Sequence, residues 1–156
     1  MTGYLLDTNV ISTSAPANPA RDQAVVDWLE TNTDLLFLSV VTIAEIESGI
    51  ENAARKTAQR KAASLTTWLE AVLHLYGHRV LSMDIMIARA AGRLHGIARG
   101  IGISPTFVDL AIAATAATHG LIILTRNLRH FWAAGSPGPG PVSRPVAVIA
   151  PICNSD

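Results

Sequence analysis

Apolar residues along this chain fall into five short runs, centred on Tyr4-Leu5-Leu6, Leu36-Phe37-Leu38, Arg79-Val80-Leu81, Leu121 to Leu124 and Val146 to Ile149. The first four end at a polar residue, respectively Asp7, Ser39, Ser82 and Thr125, so each reads as a buried strand stopping at a turn. Between them, apolar residues recur at three- and four-residue spacing over about Asp22–Thr31, Val41–Asn52, Thr57–Leu75, Asp84–Arg99 and Thr106–His119, which predicts amphipathic helices. Strands that are apolar throughout need cover on both faces, and their alternation with helices predicts a parallel arrangement. The expected class is α/β: a three-layer α/β/α sandwich with a central, mostly parallel five-stranded sheet, in one domain over residues 1–156.

Two stretches depart from this pattern. Pro16-Ala17-Asn18-Pro19 reads as a turn, and Gly135 to Pro141 as an extended or flexible loop. Neither marks a domain boundary. The small side chains from Ala111 to Ala117 are unsuited to a surface helix and predict close packing against the sheet or another helix.

Composition narrows the class. With 49% hydrophobic and 15% charged residues in 156, the chain can bury a core and is not a disordered segment. Its one cysteine, Cys153, excludes an internal disulfide framework and fits a reducing cytoplasm. Asp7 interrupts the first apolar run and no basic residue precedes it, so neither a signal peptide nor a membrane span is expected at the start.

The net charge is zero but unevenly laid out. Residues 1–84 hold ten acids and six bases, whereas residues 85–155 hold six arginines and a single acid, Asp109. Arginine suits bidentate phosphate contact, although Arg89 and Arg93, four apart on one helix, read more simply as a solvated face. Neutrality overall argues against indiscriminate nucleic-acid binding, so an anionic partner must be held locally.

Each candidate acid has a purely structural reading. Asp7 could cap the following turn, and Glu45 could close a capping box with Thr42. Asp109 could do the same with Thr106, but its neighbours Phe107, Val108, Leu110 and Ile112 set it in an apolar context that favours function. In a parallel α/β sheet the helix starts cluster at the carboxyl edge, where ligands bind. If the Asp109 helix returns there, three carboxylates meet in one pocket, and like charges at close range raise one another's pKa. A hard divalent cation, Mg²⁺ or Mn²⁺, would relieve that strain and suits phosphodiester cleavage. Glu47 is expected to face solvent, Asp84 to cap a helix, and His74 and His78 to lie at a solvated helix end. His130, three residues past Asn127, is the histidine nearest the candidate chemistry.

Four ordered blocks carry a resemblance over nearly the whole chain: Leu5 to Ser12, Thr42 to Gly49, Asp109 to Ala116, and Gly120 through Leu124-Thr125-Arg126-Asn127 to Phe131. They resemble the PIN-domain ribonucleases, and among them the VapC and FitB-like toxins of bacterial toxin–antitoxin pairs. The resemblance implies a homodimeric, Mg²⁺- or Mn²⁺-dependent endoribonuclease that cleaves RNA to arrest growth. It also implies a cognate VapB/FitA-like antitoxin whose tail fills the active-site groove. Carried over by position, the family's acids fall on Asp7, Glu45 and Asp109, with Thr8 and Asn9 supporting the first and Thr125 and Arg126 lining the site. Where members often hold a fourth acid, this chain has Asn127 and His130; Asn127 can hold a metal-bound water but adds no charge, and the three acids remain enough for one ion.

Three other classes fare worse or differ in one respect. A haloacid-dehalogenase-like phosphatase needs a second acid two residues past the first, where Asn9 stands, and a dinucleotide-binding fold needs a glycine-rich turn that Asp7-Thr8-Asn9 does not supply. A non-catalytic PIN-like module that binds RNA or protein is the serious competitor. The absent fourth acid favours it; the three retained acids favour cleavage.

Overall fold

The computed structural model describes residues 3–127, 131 and 147–148. Its strands are β1 (Tyr4–Leu6), β2 (Leu36–Ser39), β3 (Val80–Leu81), β4 (Ile122–Thr125) and β5 (Ala147–Val148), in spatial order β3-β2-β1-β4-β5. Every pairing is parallel. The helices are α1 (Thr8–Ile11), α2 (Gln23–Thr31), α3 (Val40–Arg55), α4 (Gln59–Tyr76), α5 (Ile85–Gly100) and α6 (Phe107–His119). The Gly135 to Pro141 stretch and the flanks of the last apolar run lie outside the described residues.

The continuous apolar strands have the cover they require. Leu6, Leu36, Leu38 and Leu124 join one buried cluster with Val10, Leu29, Ile46, Ile50, Leu69 and Val72, which belong to α1 through α4. Leu5 and Ile123 turn to the other face and pack with Ile87, Leu94, Leu110 and Ile112 of α5 and α6. Alternate side chains of one strand thus serve opposite layers, which is why the runs show no polar positions.

Helix α6 follows the expectation for its small residues. Every residue from Asp109 to Ala116 is buried, and α5 packs along it. Gly120 ends it with φ 65°, the left-handed conformation that glycine adopts without strain, and the Leu121 N–H donates to the Ala116 carbonyl at 2.9 Å. At Gly3 the constraint is space: a Cβ there would stand 2.8 Å from the Phe37 ring.

Two local readings are corrected. The capping box from Thr42 to Glu45 does not form, because α3 begins at Val40 and is capped by the Ser39 hydroxyl, which accepts from Val41 N–H at 3.2 Å. Glu45 therefore lies in the second turn, and Thr42 is fully buried. Thr57, read as the start of a helix, instead occupies the turn between α3 and α4 with φ 59°. The Thr57 and Ala58 N–H groups donate to Ala54 and Ala53 carbonyls at 3.2 and 3.1 Å, closing a helix end in which a β-branched residue takes the place usual for glycine.

Candidate active site

The parallel register sets the site. Leu6 pairs with Leu124, so the next residues of the two central strands, Asp7 and Thr125, stand side by side at the carboxyl edge. Asp7 occupies the N-cap position of α1 but makes no side-chain cap bond. Its Oδ2 instead accepts from the Thr125 hydroxyl at 2.7 Å, and its N–H continues the strand ladder to Leu124 at 2.9 Å. Asp7 is 6% exposed. Burial pushes its carboxyl above the ordinary range; the Thr125 hydroxyl and the Thr8 backbone N–H draw it back, and the Asp109 and Glu45 charges add to the rise.

Glu45, exposed on α3, reaches back to α1, where its Oε2 accepts from the Thr8 hydroxyl. The Thr42 hydroxyl lies behind Thr8 at 3.4 Å. Asp109 is third in α6 and does form the expected capping box: its Oδ2 accepts from the Thr106 N–H at 3.0 Å and hydroxyl at 2.7 Å, while its own N–H donates to the Thr106 Oγ1 at 3.2 Å. The structural reading of Asp109 and its place beside Asp7 hold together, since the cap fixes the carboxylate at the helix end facing the strand edge. Each of the three acids is thus tied to a threonine hydroxyl from Thr125, Thr8 or Thr106.

Asn9 and the end of β4 brace the first acid. The Asn9 Oδ1 accepts from Arg126 N–H at 3.1 Å, its Nδ2 donates to Thr125 Oγ1 at 3.4 Å, and Asn127 N–H donates to the same hydroxyl at 3.0 Å. The Arg126 side chain turns away, its Nη2 3.9 Å from Asp22 Oδ2 at the start of α2. Arg126 therefore enters the site through its backbone, and its guanidinium is not among the lining groups. Arg129 and His130 lie outside the described residues. Glu47 is exposed and Asp84 caps α5 by accepting from Ile87 N–H at 2.8 Å, both as expected.

The three acids open onto one cavity of about 340 Å³, lined also by Thr8, Asn9, Ser12, Thr106 and Asn127. Ser12 and Thr106 had no assigned role at the site. Thr106 was visible only as a cap, and the one clue to Ser12 was its four-residue spacing from Thr8, a single turn of α1. The donor set is all oxygen, the chemistry a hard divalent cation takes, and a buried carboxyl beside two others calls for positive charge. Among the described residues, however, no three His, Cys, Asp or Glu side chains are drawn together closely enough to hold an ion. The acids match such a cation in chemistry while each remains tied back to its threonine.

Comparison with known proteins agrees with this architecture. The PIN domain family model matches residues 4–134. The VapC ribonuclease Y4jK of Sinorhizobium fredii is 36% identical over 132 residues, 84% of this chain and 91% of that protein. Toxin FitB of Neisseria gonorrhoeae is 33% identical over 131 residues, 83% of this chain and 91% of that one. The FitAcB crystal structure from the same organism superposes with a TM-score of 0.75 at 33% identity, covering 95% of this chain and 97% of the other.

Proposed function

Because this chain belongs to the PIN domain family, we propose that it is a Mg²⁺- or Mn²⁺-dependent endoribonuclease acting in the bacterial cytoplasm as the toxin of a toxin–antitoxin pair. The observation that carries this reading is the meeting of Asp7, Glu45 and Asp109, from three distant segments, in one cavity. The similarity to a VapC ribonuclease and to Toxin FitB supports it.

In this reading Asp7, Glu45 and Asp109 hold the cation, which when bound supplies Lewis-acid stabilisation and an activated water for phosphodiester hydrolysis. Thr125 orients Asp7 and favours its ionised form, and Thr106 holds the Asp109 carboxylate in place. Glu45, the exposed member, can exchange the Thr8 hydroxyl for the cation by rotating its side chain. Asn9 keeps the α1 turn and the end of β4 in register, and Asn127 offers a neutral carbonyl oxygen to a water.

The partner we propose is a VapB/FitA-like antitoxin whose tail presents a cationic side chain to the acids, a charge-paired contact that would silence the site. Relatives recorded as FitAB and VapBC assemblies support that proposal. A homodimer is supported by Val40, Ile85 and Met86, exposed at the starts of α3 and α5. On the outer part of α5 a Cβ added at Gly92 or Gly96 would meet nothing within 4 Å, leaving space for a second copy. Among the described residues no helix is long and apolar enough to cross a membrane. Asn127 at the fourth position favours a second reading, a PIN-like module that binds RNA or protein without cutting.

Expression in bacteria separates the two. The wild-type chain alone is expected to arrest growth, co-expression with its small partner to restore it, and Asp7→Asn to be harmless while still dimerising. Equal toxicity of Asp7→Asn would remove cleavage as the cause and leave the binding module.

A further inference from the structure

The acid cavity does not end at Glu45. Thr8, Ser12 and Glu45 also line a second, larger groove of about 460 Å³ that runs on between the α1 segment and helices α3 and α4. At its far end stand Lys56 and Lys61, the chain's only lysines, on either side of the Thr57 turn. Both are exposed, and neither forms a salt bridge among the described residues. Apart from Glu45 at the junction, they are the only charged residues lining the groove among the described residues. Its apolar wall includes Trp68, half-buried and fixed by an Nε1–H bond to Ser14 Oγ at 3.1 Å. At 1.5 Å per helical residue, Lys56 lies about 16 Å along α3 from Glu45, a span of more than one nucleotide.

We infer that this groove is the track of the RNA strand leading to the cut site, with Lys56 and Lys61 holding its phosphates and Trp68 bordering its bases. The inference rests on the nuclease reading. A cationic groove with an aromatic wall is the usual way to hold single-stranded nucleic acid irrespective of sequence. The acid end by itself repels a phosphate, so a strand needs an anchor beyond it, and the unpaired lysines supply one on a continuous surface. A protein segment is the rival occupant, but the groove's charge complements a polyanion.

The test uses the full chain carrying Asp7→Asn, in Mg²⁺, with a fluorescein-labelled, mixed-sequence single-stranded RNA 12-mer read by anisotropy. Adding Lys56→Gln and Lys61→Gln is expected to weaken binding about tenfold and to lower the slope of log Kd against log salt by about 1.4, at about 0.7 per phosphate neutralised. Lys56→Arg with Lys61→Arg should keep both. Affinity and slope unchanged in the glutamine pair would overturn the track. Loss of a co-purifying protein partner from that pair, with RNA affinity unchanged, would assign the groove to a peptide and overturn it equally. In the otherwise wild-type chain with Mn²⁺, the glutamine pair should raise KM more than it lowers kcat; cleavage with unchanged KM rejects the track and spares the nuclease. No cleavage by the wild type, with lysine-dependent RNA binding, rejects the nuclease and retains the track.

Discussion

At the scale of single residues, the site is built from acids restrained by hydroxyls. Asp7 shows the electrostatic consequence most directly, because burial and two neighbouring carboxylates raise its pKa above the ordinary 3.8. A carboxyl that binds its proton more tightly folded than unfolded lends stability at low pH and loses it as pH rises from about the unfolded value through the folded one. In EDTA, Asp7→Asn is therefore expected to melt above wild type at neutral pH, with a gap that opens from near pH 4 upward and then levels off. Mn²⁺ should close the gap by stabilising wild type alone, which scanning calorimetry across pH would read. Asn127 lines the same cavity without a charge. Asn127→Asp is expected to tighten Mn²⁺ binding or admit a second ion, and titration calorimetry with unchanged affinity and stoichiometry would exclude Asn127 from the metal shell. Asp109 stood out in the chain as an acid in an apolar helix start, whereas Asp7 by itself read more simply as the cap of the following turn, a bond its side chain does not make. Glu45 was legible as a residue and misread as a cap, since Thr42-Ile43-Ala44-Glu45 satisfies that spacing whether or not a helix begins there. The Thr8 to Glu45 and Thr125 to Asp7 bonds join residues 37 and 118 positions apart, and no local pattern encodes them.

At the scale of elements, sequence and structure agree where hydrophobic period decides and differ where a turn does. Strands flanked by helices on both sides leave unbroken apolar runs, and α6 leaves its run of alanines, so both could be read. The α3–α4 junction could not: Lys56-Thr57-Ala58 contains no glycine or proline, yet Thr57 sits at φ 59°. A β-branched residue in that conformation is strained, and glycine is not. Thr57→Gly is expected to raise stability by about 1 kcal/mol in urea unfolding; a loss of stability would mean that the threonine side chain makes a contact outweighing the strain.

At the scale of the whole molecule, the order β3-β2-β1-β4-β5 puts the first strand at the centre and the late strand β4 beside it. That topology, invisible to composition and periodicity, is what brings Thr125 at the end of β4 beside Asp7, 118 positions away. The uneven charge follows the same division: most acids lie in the half that builds one side of the site, and the lone acid of the arginine-rich half, Asp109, faces them. The central claim is that these three carboxylates form one metal-dependent nuclease centre, and RNA cleavage by purified protein tests it most directly. With labelled RNA, wild type should cut in Mn²⁺ and stop in EDTA, and Asp109→Asn, folded by circular dichroism, should be slower by about 100-fold or more. Full activity in EDTA, or in Asp109→Asn, would contradict it.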